Sequence, residues 1–484
     1  MSNNFFEIPL ELVSWSHDSV NDLPSYRTVF MRDRDRVLYC TAFRRLAGKT
    51  QIYTIGTDDH KKNRLTHSLE VAQIARTISH ALNLNCDLAE AIALAHDFGH
   101  TPFGHAGEHM LHQIMIPESE FVKKSPFYQT NAKDIKKILE REGKKFPSII
   151  SIESMFGFKH NIQSVRVASV LEDSYRGSKG ENIGLNLTNY TLWGMLNHSK
   201  TRYEDSSLYP NFQTQFNKLI GVNGFAGEAW SFEAYIVRIA DDIAQWHHDL
   251  EDAIRGDALP ISKICDTIKD ALDSCLKDSD RDCLSNYRDT TRIDRKCIAD
   301  LSHIVVNTLV NDIVETSKNN MDKLQKELQK NFPGTAEKEL TKKLYTEYNA
   351  LKLSQKRDEI ISLSSKIKQE KFKTVITEAV HHSRDVERMN EKGKYIIRKL
   401  FEAYYSHPQQ LPDGPIFHFM VDIEIYANID EARERGSGEV RTQFDKVLEN
   451  PPKIYEAILM RRICDHIASM TDHYAIEEYG NLYG

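Results

Sequence analysis

The sequence predicts a mainly α-helical fold, and three observations point to it. Apolar residues recur at three- and four-residue spacing through most long segments. Only 14 prolines and 22 glycines interrupt 484 residues. No convincing run of period-two alternation marks a strand. With 40% hydrophobic and 27% charged residues, the chain is globular in composition. It is long enough that residues 1–484 are expected to form one large helical unit.

Leu65, Leu69, Ala72, Ala75, Ile78 and Leu82 mark one buried face of the first clear helix. Asp87 followed by Glu90 resembles a capping pair that opens the next helix, which runs to near Gly99. Pro102 can start another helix, because a first-turn position needs no amide donor. A further helix carries its apolar stripe through Ile236, Ile239, Ile243, Trp246 and Leu250. Residues 314–372 are rich in Lys and Glu, and Pro333 and Gly334 divide them into two helices. This inserted charged hairpin is expected to be an exposed surface excursion or an oligomer contact, without a catalytic role. No internal repeat is apparent.

Charge and cysteine usage narrow the function. A formal net charge of −7 gives the whole molecule no attraction to a polyanion. Any phosphate site must therefore concentrate positive charge locally, which favours a small phosphorylated ligand over duplex DNA. Seven scattered cysteines without a CxxC pair read as reduced thiols of a cytoplasmic protein. The N-terminal MSNNFFEIPLELVSW lacks a basic segment followed by an apolar one, so no secretory leader is expected. No run approaches the ~18 apolar residues of a membrane span, and no membrane partner is expected.

The chemistry sits among the 20 histidines. Arg64 and His67 lie three residues apart in NRLTHSLEV, as neighbours on a helix. The stretch AHDFGHTPFGHAGEH holds His96, Asp97, His100, His105, Glu108 and His109. Adjacent His96 and Asp97 at a helix end can reach one metal, since imidazole and carboxylate together suit several divalent ions. His105 and Glu108, at i and i+3, share a helix face. In IVRIADDIAQWHHDLEDAI, Asp241, Gln245 and Asp249 step by four. A carboxylate as deep in apolar surroundings as Asp241 is costly unless a cation meets it.

Each histidine alone is more often a satisfied structural residue than a ligand. His105 and His109 lack the HExxH context of a zinc protease, and His247 and His248 read as a surface face. The combined pattern is far more specific: R-x-x-H, then HD-x-G-H-x-P-F-x-H-x-x-E, then a downstream aspartate.

These residues resemble the HD-domain superfamily, and within it the deoxyguanosine-triphosphate triphosphohydrolase branch. RDRDRVLYCTAFRRLAGKTQIYTIGTDDHKKNRLTHSLEVAQIAR is similar to that branch almost throughout. So are HDFGHTPFGHAGE, FKHNIQSVRV, DDIAQWHHDLEDA and DHIASMTDHYA. The resemblance implies an HD-type helical fold with His67, His96, Asp97 and Asp241 as ligands of a divalent metal. Mn²⁺ or Mg²⁺ is the expected ion, with iron, cobalt and nickel compatible. It implies His105 and Glu108 as the catalytic pair beside the α-phosphate, and Arg64, His160 and Asn161 along the triphosphate. Gln51 would read the base, and Asp249 would accept a hydrogen bond from the sugar 3′-hydroxyl. The expected reaction releases deoxynucleoside and triphosphate from a dNTP, in a homo-oligomer, often a hexamer among relatives. A nucleotide or single-stranded DNA effector also belongs to that expectation.

Four positions depart from the branch. Gln245 replaces a tyrosine that stacks under the sugar, and Asn197 stands near a phosphate-binding lysine for which Lys200 is the nearest substitute. His466 and Ser469 replace more usual Tyr and Gly. Two other readings compete. A different HD phosphohydrolase, such as a 5′-nucleotidase or phosphodiesterase, would leave Gln51, Asp249 and the His105–Glu108 pair unexplained. A non-catalytic nucleotide or single-stranded DNA sensor would not need Asp241 or His105.

Overall fold

The computed structural model describes residues 5–15, 24–51, 62–116, 119–121, 157–178, 180–198, 229–290, 293–449 and 453–484. Among these the fold is helical, with only isolated β-bridges. The helices that build the cores include α1 (Val29–Tyr39), α2 (Arg64–Ala81), α3 (Cys86–Ala95), α4 (Gly104–Met115), α5 (His160–Arg166), α6 (Asn189–Asn197) and α7 (Phe232–Arg255). They continue with α8 (Ile261–Leu272), α9 (Arg295–Asn331), α10 (Glu337–Glu347), α11 (Arg384–Ser406), α12 (Asp413–Asp422), α13 (Lys453–Ser469) and α14 (Asp472–Tyr483). The mainly α expectation holds.

Among the described residues the helices form two hydrophobic cores. The first joins α1, α2, α3 and α5 through α10, with Ala75, Leu88, Ile92, Ile236, Ile243 and Leu309 fully inside. The second joins α4 to α11 through α14, around Leu111, Ile397, Phe401, Phe419 and Ile463. The turn between α3 and α4 therefore spans both, and that turn carries His96, Asp97 and His100. Polar ties cross the same boundary. Arg166 forks onto Asp465 from Nη2 at 2.7 Å and Nε at 2.9 Å, and Gln163 donates to the same carboxylate at 3.0 Å.

Capping chemistry sets the helix starts. Asn63 accepts from Thr66 N at 2.9 Å to open α2, and Ser231 accepts from Ala234 N at 3.1 Å to open α7. The α3 expectation needs correcting: Asn85 is the cap, accepting from Leu88 N at 3.0 Å, while Asp87 lies in the first turn and pairs with Arg34 at 2.7 Å. Helix α3 also ends at Ala95, and the residues to Gly99 form a turn. On α2, Leu69 is 48% exposed, against the apolar reading of that face. His67, Ser68 and Val71 are buried instead, because the inward face is partly polar where it meets the site.

The charged segment 314–372 turns at Pro333 and Gly334 between α9 and α10. Its charges are on the outside, but Met321, Leu324, Leu328, Leu340 and Leu344 are buried in the first core. Met321, Leu324 and Leu328, at spacings of three and four, give the hairpin a packed face, which a count of Lys and Glu conceals. Helix α9 has one 18-residue window of mean hydropathy 1.3. Packing accounts for it: Leu301, Val305, Leu309 and Ile313 are core residues.

Candidate active site

The site begins with the end of α3. His96 is its C-cap residue, with Asp97 next in the turn. Gly99 is required there by close approach: a Cβ would stand 2.1 Å from the His160 carbonyl oxygen and 2.3 Å from Ser164 N. Ser164 fastens the turn, its Oγ accepting from Gly99 N at 2.9 Å and donating to the His96 carbonyl at 2.7 Å. The α4 helix starts from Phe103, which is held in the left-handed region at φ 61°.

Four sequence-selected residues converge on this turn. His67 Nε2 lies 3.0 Å from Asp241 Oδ1, and His96 Nε2 lies 3.2 Å from Asp97 Oδ1 and 3.8 Å from Asp241 Oδ1. His67, His96 and Asp97 are buried and close enough to share an ion. His96 donates Nδ1–H to the Ala93 carbonyl at 2.6 Å, so its Nε2 carries a lone pair. Among the described residues that buried nitrogen has no hydrogen-bond partner. A lone pair facing two carboxylates is repulsive until a cation stands between them, and the donor set suits a divalent one. Arg64 is buried and donates Nη1–H to Asp97 Oδ2 at 2.8 Å.

Beside this cluster lies the second group. Glu108 Oε2 is 2.9 Å from His105 Nδ1 and 3.0 Å from His160 Nδ1, while Lys159 Nζ is 2.6 Å from Oε1. Glu108 is buried, whereas the His105 ring is 67% exposed with its Nε2 edge away from Glu108. Burial would raise the Glu108 carboxyl, but His160 and His105 hold it far below its usual range. His100 stacks on His160 with centroids 3.9 Å apart, and its Nε2 is 3.1 Å from Asp97 Oδ1. Asn161 Nδ2 is 3.1 Å from His198 Nε2, and the His198 ring meets that of His96 edge-on at 4.9 Å. Burial depresses the His198 imidazole to about 3. His109 is exposed.

The third group is a chain of amides along α7. Gln51 donates Nε2–H to Gln245 Oε1 at 2.9 Å, and Gln245 donates Nε2–H to Asp249 Oδ1 at 2.7 Å. Thr377 donates its hydroxyl to Asp249 Oδ2 at 2.5 Å. Burial pushes the Asp249 carboxyl up to about 7 against the two hydrogen bonds. Asp249 thus already has a protein donor on each oxygen.

Several contacts escaped sequence reasoning. His198 and Thr377 carry no motif, and only the fold brings them here. His248, read as a surface residue, is buried against Glu70, and His247 lies beside both. Lys62 Nζ sits 3.2 Å from Glu251 and 3.5 Å from Glu70, which makes that group an ion-pair network. Asn197 donates to the Trp193 carbonyl at 3.0 Å, and Lys200 lies outside the described residues. From the second core, Asp472 accepts from Thr50 N at 3.1 Å, Thr50 Oγ1 at 2.6 Å and Phe103 N at 3.0 Å. Lys49 Nζ donates to the His100 carbonyl and, at 2.8 Å, to the Ala468 carbonyl. These bonds tie the KTQ stretch and the start of α4 to one support.

Comparison with known proteins fits this geometry. The HD domain matches residues 64–274, and the phosphohydrolase-associated domain matches 360–416 and 436–481. A deoxyguanosinetriphosphate triphosphohydrolase-like protein of Bartonella henselae is 30% identical over 473 residues, covering 96% of this chain and 91% of the relative. The chain belongs to that family. Similarly named proteins of Syntrophus aciditrophicus and Geobacter metallireducens are 30% and 28% identical, covering 95% of this chain and 88% and 89% of theirs. As a member of the deoxyguanosinetriphosphate triphosphohydrolase-like family, the chain is an HD-type phosphohydrolase with a His/Asp cluster able to hold a metal. The HD segment encloses all four converging residues, His105 and Glu108. The phosphohydrolase-associated segments supply Thr377, Asp465 and Asp472.

Proposed function

We propose that this phosphohydrolase is a divalent-metal-dependent dNTP triphosphohydrolase, cleaving at the α-phosphate to give deoxynucleoside and triphosphate. The observation that carries this reading is the unpartnered His96 Nε2 facing Asp97 and Asp241, beside a separate His105–Glu108 dyad. In this reading His67, His96, Asp97 and Asp241 hold the ion, and Mn²⁺ or Mg²⁺ suits their mixed nitrogen and oxygen donors. When bound, a divalent ion neutralises phosphate charge and lowers the pKa of a coordinated water.

The chain's own groups do the rest. With both ring nitrogens protonated, His105 donates Nδ1–H to Glu108, which orients the ring, and delivers its Nε2 proton to the departing 5′-oxygen. Lys159 and His160 hold Glu108 ionised, so it orients His105 without competing for that proton. Arg64, aimed by Asp97, presents the rest of its guanidinium to phosphate. His160 and Asn161 line the triphosphate. Eight residues separate Asp241 from Asp249, ~12 Å of helix at ~1.5 Å per residue, a distance that suits a sugar beyond the α-phosphate. Asp249 meets the sugar 3′-hydroxyl and Gln51 the base.

Chromatographic product analysis with each of the four dNTPs and Mn²⁺ tests the proposal. Deoxynucleoside plus intact triphosphate is expected. Deoxynucleoside monophosphate, or stepwise release of inorganic phosphate, would place the chain with another kind of nucleotide hydrolase.

A further inference from the structure

We infer that Asp472 is a positioning residue for His105, acting through a strained turn at Phe103, and that Gly393 is the second half of the same support. This rests on the proposed role of His105 as general acid. Both supports act from the second core, across the boundary from the metal cluster.

His105 has little of its own to hold it. Its ring is 67% exposed, and its hydrogen bond runs to Glu108 on the same helix. The rings of His100 and His160 meet it at centroid distances of 5.2 and 5.8 Å. Its place is therefore inherited from the backbone that starts α4. There Phe103 and Gly104 both lie in the left-handed region, at φ 61° and 58°. Glycine adopts that region freely. A bulky aromatic residue does so at a cost, and stays there only where its neighbours fix it. Phe103 is also the N-cap residue of α4 and makes no side-chain capping bond.

Two contacts fix the turn. Asp472 Oδ1 accepts from Phe103 N at 3.0 Å. The other carboxylate oxygen is pinned by Thr50, from N at 3.1 Å and Oγ1 at 2.6 Å, so Oδ1 keeps a set direction. Asp472 is buried in the first turn of α14, where a helix N-terminus favours a carboxylate. The second contact is steric. A Cβ at Gly393 on α11 would stand 2.7 Å from Phe103 Cβ and 2.8 Å from its Cγ. The root of the Phe103 side chain thus lies directly against the α11 backbone. Relaxation of Phe103 to a negative φ would turn its amide off Asp472 and lift its side chain from α11. The first turn of α4 would swing with it, and His105 is two residues on.

The test is a double-mutant cycle on the full-length protein, with Asp472→Ala and Gly393→Ala each alone and combined with His105→Ala. Turnover of the preferred dNTP with Mn²⁺ is measured beside bound metal and helical circular dichroism. Each support variant is expected to lower kcat by roughly 10- to 100-fold, the effect of misplacing a catalytic group by ~1 Å. KM should change by about threefold or less, and metal content should hold. In the His105→Ala background the same substitutions should cost about threefold or less, because the group they place is gone. Gly393→Ala decides the matter if Asp472→Ala does not fold, since alanine is the better helix former and leaves α11 intact. Equal losses with and without His105, in a folded Gly393→Ala, would overturn the assignment. A rise in KM at unchanged kcat, or a loss of bound metal, would overturn it too. Failure of the unmodified protein to hydrolyse any dNTP would instead overturn the functional proposal on which the assignment rests.

Discussion

The two ends of the site are built on opposite plans. At the end proposed to hold metal and phosphate, His67, His96, Asp97 and Asp241 come from two helices and one helix-ending turn of one core, and the first three are nearly inaccessible. Each is placed by its own helix or turn, fastened by bonds such as the local Ala93–His96 contact and Ser164–Gly99 from α5. At the end proposed to meet sugar and base, Gln51, Gln245, Asp249 and Thr377 hold one another through side-chain hydrogen bonds. Under the proposed function, chemistry belongs to the first group and selectivity to the second. Damage at the first end should stop turnover, and damage at the second should redirect it.

The largest effect is expected from Asp97→Ala. This variant should lose turnover altogether while keeping its helical circular dichroism, because both cores are apolar and do not depend on that carboxylate. More than a few per cent residual activity with Mn²⁺ present would remove Asp97 from the metal centre. His105→Ala comes next, with a rate lowered by roughly 10²–10⁴-fold, the usual weight of a general acid. Its metal content should not change. A parallel fall in bound metal would make His105 a ligand and dissolve the separation between cluster and dyad.

At the other end effects should be smaller and substrate-dependent. Asp249→Ala should weaken dNTP use by about 1–3 kcal/mol, the cost of a buried hydrogen bond whose partner is removed. A dideoxynucleotide should suffer that loss with the unmodified protein and lose little more in the variant. Additive losses in the double-mutant cycle would mean that Asp249 does not meet the sugar.

The smallest expected effect is on stability. Burial raises the Asp249 carboxyl to about 7 in the fold, above the ~3.9 of an unfolded aspartate. The folded state then binds more protons between these values, so stability falls as pH rises from ~4 towards 7. Asp249→Asn removes that dependence, and its gain in Tm should grow between pH 5 and pH 8. An equal difference at both pH values would show that the carboxyl is not held neutral.

Legibility in the sequence followed the same division. The clustering of His67, His96 and Asp97 was readable because they fall at fixed spacing in two short stretches, where local geometry limits where they can point. The helical class was readable from periodicity for the same reason. Leu69 misled because periodicity marks apolar positions, and a helix that lines a site turns His67 and Ser68 inward instead. The hairpin at 314–372 misled because charge dominates its composition while a sparse stripe decides its packing. Thr377 and His198 gave no signal at all. Their partners lie 128 and 37 residues away, and no local pattern encodes such a meeting.

The most direct test of the account is metal content after equilibrium dialysis against Mn²⁺, with the unmodified protein beside Asp97→Ala and Gln245→Leu. The account expects about one tightly held ion per chain in the unmodified protein and in Gln245→Leu, and none in a folded Asp97→Ala. An ion retained by Asp97→Ala, or lost by Gln245→Leu, would contradict the division between a metal-holding end and a substrate-reading end.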